Sequence, residues 1–142
     1  IHRSQRDMKI LNVFIVLISL SLVSVSEMYS QSTEKDELKC LKSLRKGTFK
    51  YVEENEEYMI VRTKKRQIEM SLDGKSQLIL KIKWLDERTY VLTFVKEINM
   101  TGCLRRHDTI TTKIESCSGD TYKCSYLSNS CGHGASAIER IK

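Results

Sequence analysis

The chain contains no proline. Proline cannot donate to a strand ladder, so its absence leaves every strand free to lie inside a sheet. Long apolar runs are missing as well. A membrane-spanning helix needs about 20 apolar residues. The longest apolar stretch, Ile10 to Val25, is short for that and is interrupted by Asn12 and several serines. Histidine is scarce, limited to His2, His107 and His133. Zinc sites commonly use closely spaced ligand pairs. Here Cys131-Gly132-His133 stands alone, with Cys124 and Cys117 upstream at intervals of seven. That spacing fits no zinc pattern, and no metal or other cofactor is expected. No Gly-x-Ser-x-Gly elbow marks a serine hydrolase. No cysteine–histidine arrangement marks a cysteine nucleophile, so no catalytic residue is assigned.

Charge of one sign is not concentrated either. The formal net charge is +6. The first thirty residues hold three basic residues (Arg3, Arg6, Lys9) and two acidic ones (Asp7, Glu27), so the rest carries +5. This favours solubility and mild attraction to anionic surfaces. It falls short of a nucleic-acid-binding face, and no nucleic acid is expected as partner.

The N-terminal region carries a targeting pattern. Met8-Lys9 reads as a start with a minimal positive n-region, followed by the apolar stretch and by small residues at Ser24 and Ser26. A signal peptide over 8–30 is expected, cleaved after Ser26 or Ser30, with residues 1–7 upstream of it. An uncleaved anchor is the alternative. Export to the periplasm or beyond permits disulfides. All five cysteines (Cys40, Cys103, Cys117, Cys124, Cys131) lie beyond this segment, and their odd number leaves at least one without an intramolecular partner.

Residues 31–46 form a polar lead-in, with Leu38, Leu41 and Leu44 at helical spacing. From Gly47 the pattern turns to period two, the strand signal. Strands are expected at Thr48–Val52, Tyr58–Thr63, Arg66–Leu72, Gln77–Trp84, Thr89–Lys96, Thr109–Cys117, Thr121–Leu127 and Ala135–Lys142. Glu53 to Glu57 reads as a charged turn, and Asp73-Gly74 is a strong hairpin signal. The third strand sets Ile68, Met70 and Leu72 on one face and Gln67, Glu69 and Ser71 on the other. Leu78, Leu80, Ile82, Trp84, Tyr90, Leu92 and Phe94 are expected to be largely buried. Parallel pairing needs long crossovers, and none are present. The fold class is therefore all-β: an antiparallel up-and-down meander of about eight strands over 47–142. Closure into a small closed or half-closed barrel removes exposed edges; a sandwich is the alternative.

The stretches Gly47-Thr48-Phe49-Lys50-Tyr51, Arg62 through Glu69, Lys81-Ile82-Lys83-Trp84 and Tyr90-Val91-Leu92-Thr93 resemble a family of small, exported, uncharacterised proteins of Bacteroidetes-type bacteria. The resemblance covers most of residues 40–142. It implies a β-rich exported domain, lipocalin-like in outline, and no activity. Some relatives carry a type II topoisomerase label that nothing in this chain supports. Relatives often have a cysteine in the turn before the Tyr90 strand. Here that turn reads Asp86-Glu87-Arg88, which implies that Cys40 stays free or pairs outside the chain.

Three groups of residues are singled out. Trp84, Tyr90 and Phe94 are candidates to line a cavity for a small apolar ligand in a closed barrel. Arg62, Lys64, Lys65 and Arg66 form the densest basic patch, either a surface for an anionic partner or charges that deter edge pairing. Cys117, Cys124 and Cys131 are the disulfide candidates. Across a two-residue Gly119-Asp120 loop, Cys117 and Cys124 sit diagonally, roughly 7–8 Å apart. A disulfide needs Cα atoms within about 6.8 Å, so the expected bridge joins Cys131 to Cys124 or Cys117.

The leading expectation is a non-enzymatic, exported, lipocalin-like β-barrel that binds a small apolar ligand or an envelope protein. The alternative is a secreted inhibitor or adhesion module acting through exposed loops, and the third reading is a hydrolase.

Overall fold

The structure is a computed structural model, and it describes residues 33–52 and 58–141. The expected signal peptide and the charged turn Glu53 to Glu57 lie outside the described residues. Glu37–Lys142 forms one compact unit; of Ile1–Asp36, the described residues 33–36 are helical.

A helix, α1, covers residues 33–43. Eight strands follow: β1 (Gly47–Tyr51), β2 (Tyr58–Arg62), β3 (Arg66–Ser71), β4 (Gln77–Trp84), β5 (Thr89–Ile98), β6 (Thr109–Ser118), β7 (Thr121–Ser128) and β8 (Gly132–Arg140). Each pairs antiparallel with the next, and β8 returns to β1 to close the barrel. The all-β meander read from the period-two runs is the fold observed. β8 begins earlier than the pattern suggested, so that residues 132–134 belong to the ladder rather than to a loop. At the seam Phe49 pairs with Arg140, and Lys50 reaches Glu139 at 3.4 Å.

Closure explains the core. Alternate residues point inward, so Phe49, Ile60, Leu80, Ile82, Tyr90, Leu92, Ile114, Tyr122 and Ile138 are buried. Each fully buried side chain of this size contributes roughly 1.5–3 kcal/mol relative to exposure. Leu78, Trp84 and Phe94, expected in the core, are only half-buried and pack against its margin.

Two bulges reset the alternation. The β4–β5 register shifts between Ile79 and Leu80, and both are buried. The β6–β7 register shifts between Ile114 and Ser116, leaving Glu115 as the extra residue. Without that shift, Cys117 would face away from Ile114's side. With it, both are buried.

The barrel has two different ends. One carries α1 and the turns at 63–65, 85–88 and 119–120. Cys40, Leu41 and Leu44 are buried in its core. Arginines hold the C-terminal end of the helix: Arg62 Nη1 donates to the Leu44 carbonyl at 2.8 Å and Arg140 Nη1 to the Ser43 carbonyl at 3.1 Å. Cations there complement the helix dipole. Arg88 adds an ion pair to Glu37 at 2.7 Å. The other end carries the turn at 72–76, the loop at 99–108 and the turn at 129–131.

Candidate functional site

Arg62 organises the interior. It shares the inward face of β2 with Ile60 and is only 2% exposed. A buried guanidinium needs acceptors for its donors. Nε and Nη2 donate to Gln67 Oε1 at 3.0 and 2.8 Å, and Nη2 also reaches the Tyr90 and Tyr122 hydroxyls at 3.2 and 3.0 Å. The rings of Phe49 and Tyr90 lie 4.9 Å from the guanidinium carbon, within cation–π range. Burial pushes the Tyr90 phenol above its usual range, with the Arg62 charge pulling the other way; Tyr122 is raised well above its usual range, by burial first. Both therefore remain neutral at physiological pH and accept from Arg62.

This arrangement dictates the orientation of Gln67. Its carbonyl oxygen is taken by Arg62, so its amide nitrogen faces away and donates to Glu69 Oε1 at 2.9 Å. Glu69 Oε2 accepts from the Tyr51 hydroxyl at 3.3 Å. The polar face of β3 therefore turns into the barrel, and the apolar residue Leu72 is 63% exposed.

Beyond this network, toward the end without the helix, the interior is hollow. A cavity of about 150 Å3 is lined from seven of the eight strands. Leu78, Leu92, Ile110 and Ile138 supply apolar wall; Tyr51, Tyr90 and Tyr126 supply rings; Gln67, Glu69, Thr112, Cys124 and Ser136 supply polar groups. Tyr51, Glu69, Leu78, Ile110, Tyr126 and Ser136 are half-buried, marking the wall that reaches solvent. Tyr126 pairs with Gly134, where an added Cβ would lie 2.5 Å from the Tyr126 hydroxyl. Glycine there makes room for the ring. The Cys124 thiol lies 3.7 Å from the Ser136 carbonyl, and burial pushes its pKa up to about 11.

Disulfides brace both ends. Cys40 bonds Cys117, tying α1 to β6, and Cys103 bonds Cys131, tying the 99–108 loop to the 129–131 turn. Asp108 ties the same two segments: it accepts from Ser130 Oγ, Asn129 Nδ2 and the Arg105 amide. These bonds, that from Ser130 foremost, hold its carboxyl below the usual carboxylate range.

Several expectations are corrected here. Cys131 bonds neither Cys117 nor Cys124, and Cys40 is neither free nor paired outside the chain. The physical reason is the bulge at Glu115, which turns Cys117 inward beneath α1. Cys124 is the free cysteine. It pairs across the ladder with Ile114, while Cys117 pairs with Tyr122. Arg62 leaves the expected basic patch, because the parity of β2 buries it; Lys64, Lys65 and Arg66 stay exposed. Of the three aromatics expected around a cavity, Tyr90 alone lines it. Phe94 packs at the core margin. Trp84 sits near the helix end, 4.7 Å from the Tyr90 ring and beneath the Arg45 guanidinium, in a surface cleft with Lys46, Lys64 and Lys83. Among the described residues its Nε1 is the buried side-chain polar atom without a hydrogen-bond partner. His107 and His133 are exposed, and no cluster of potential metal ligands forms among the described residues.

Sequence reasoning missed Glu69, Gln67 and Tyr126 as interior residues. The parity of Arg62 with Ile60 was the available signal. An inward arginine requires inward acceptors on the next strand.

Two disulfides are the mark of an oxidising, non-cytoplasmic compartment. No helix among the described residues is long and apolar enough to cross a membrane. The chain is an eight-stranded closed β-barrel, consistent with lipocalin-like architecture, and no family model, curated protein or solved structure matches it.

Proposed function

We propose that this protein is an exported, non-enzymatic, lipocalin-like barrel that holds a small ligand in its hollow half. The observation that carries this reading is the cavity: interior, walled by seven strands, floored by the Arg62 network and reaching solvent at one end. Its volume of about 150 Å3 matches a cavity that accepts a benzene ring. Sites for drug-sized ligands run to about 300–1,000 Å3. The ligand is thus of single-ring size. The lining is mixed rather than apolar throughout, so the ligand carries a polar group. Export is supported by the two disulfides and by the apolar stretch after Met8-Lys9, and kinship with the exported proteins of Bacteroidetes-type bacteria belongs to the same proposal.

Ligand-observed NMR with a set of single-ring compounds tests it. Binding is expected to the native protein and to be lost in Ser136→Leu, which fills the cavity from β8. Binding that persists unchanged in a folded Ser136→Leu variant would place the ligand elsewhere. For export, expression in a bacterial host should yield a product beginning after Ser26 or Ser30. An intact Met8 terminus in the periplasmic fraction rejects it.

A further inference from the structure

The cavity's charge is asymmetric. Arg62 does not line it, because its donors are committed to Gln67, Leu44, Tyr90 and Tyr122. Glu69 does line it, held by Gln67 and Tyr51. Among the lining side chains Glu69 is the one that carries a charge in its ordinary form at neutral pH. The positive guanidinium sits one amide further away, beyond Gln67.

Each class of ligand meets this wall differently. An anion is repelled by the carboxylate. A purely apolar ligand would strip water from Glu69 and return no hydrogen bond, which is unfavourable for a charged group. A neutral hydroxyl returns one hydrogen bond and no charge. An ammonium returns both, and the tyrosine rings add attraction through their quadrupoles. Charge-assisted hydrogen bonds are roughly twice as strong as neutral ones.

We infer that the ligand of this cavity is a small organic cation, an amine of single-ring size, with its ammonium at Glu69 among Tyr51, Tyr90 and Tyr126. This rests on the cavity being the ligand site.

Four probes of similar shape test both points: benzylamine, benzyl alcohol, toluene and benzoate. Their affinities for the full disulfide-bonded protein would be measured at pH 7 by calorimetry. Nuclear Overhauser contacts from the probe ring to the Leu92, Ile110 and Ile138 methyls report occupancy of the cavity itself. Benzylamine is expected to bind at least about tenfold more tightly than benzyl alcohol or toluene, with benzoate weakest and the methyl contacts seen for benzylamine. Glu69→Gln, which keeps the side-chain shape, should bring benzylamine within about twofold of benzyl alcohol; a smaller reduction overturns the inference. Toluene or benzyl alcohol binding as tightly as benzylamine overturns the cation inference and leaves the ligand-site reading standing. The native-protein series alone decides this should Glu69→Gln not fold. If none of the four binds or contacts these methyls, both readings fall.

Discussion

At the helix end, Arg62, Phe49, Tyr90, Tyr122 and the leucines of α1 and its flank are buried together in the barrel interior, and acceptors meet the arginine's donors. At the opposite end the same strands enclose a cavity of about 150 Å3. Both ends are braced by a disulfide, so the brace does not explain the difference. The plug does. A helix docks on one end and supplies Cys40, Leu41 and Leu44 to the core. Among the described residues no helix docks on the other end; the 99–108 loop brings the buried Leu104 there, and half of the side chains lining the cavity are half-buried. Buried side chains are concentrated at the helix end, and the cavity lies toward the other.

The sharpest way to break this contrast is Arg62→Ala. It strands Gln67 Oε1, the Leu44 carbonyl and two tyrosine hydroxyls and opens a void beneath α1. Removing one member of such a buried charged network costs as much as about 5 kcal/mol, to be read from urea unfolding. Next come the disulfides, compared as alanine pairs. The chain-entropy relation gives about 4.5 kcal/mol for the Cys40–Cys117 loop and about 3.6 kcal/mol for Cys103–Cys131, following their separations of 77 and 28 residues. Calorimetry should rank the helix-end pair as the larger loss. Equal losses would say that loop length is not what distinguishes them.

Two leucines on one strand probe the packing directly. Leu80 is fully buried and Leu78 borders the cavity. Leu80→Ala should cost about 3 kcal/mol, because the packed site leaves a new void. Leu78→Ala enlarges a space that already reaches solvent and should cost about 1 kcal/mol. Equal costs in denaturation midpoints would mean that the hollow end is packed as tightly as the filled one.

The last effect is a pH dependence. The Cys124 thiol titrates near 11 in the folded protein and near about 8.5 when unfolded. Between these values the unfolded chain loses the proton first, so stability falls as pH rises. The contribution is complete below about pH 8.5 and is lost as pH passes through the folded value. Relative to Cys124→Ala, the native protein should lose about 3 kcal/mol between pH 8 and 11. Parallel profiles for the two proteins would place the thiol in water.

Much of the fold was legible because its signals are local. The β4 run was readable to the residue from Leu78, Leu80, Ile82 and Trp84 alternating with Lys81 and Lys83. The Gly119-Asp120 turn was readable from its spacing, and Gly119 adopts a positive φ of 59° there. The site was much less legible. On β3 the apolar alternation of Ile68, Met70 and Leu72 points toward a core, yet Gln67 and Glu69 face inward to meet Arg62. Cys117 was among the disulfide candidates, and its partner was still missed. Spacing within a hairpin says nothing of a helix that arrives from 77 residues away.

The sequence by itself determined the number and order of the strands, the turns between them and their antiparallel pairing. All of these follow from side-chain period and turn chemistry acting over a few residues. Only the tertiary structure decided that the polar face of β3 looks inward, which cysteines meet, and that Arg62 lies within the barrel rather than on its surface. Those choices depend on closure and on the two bulges. A shift of one residue at Glu115 exchanges inside for outside over the rest of that strand, and nothing in the local pattern records it.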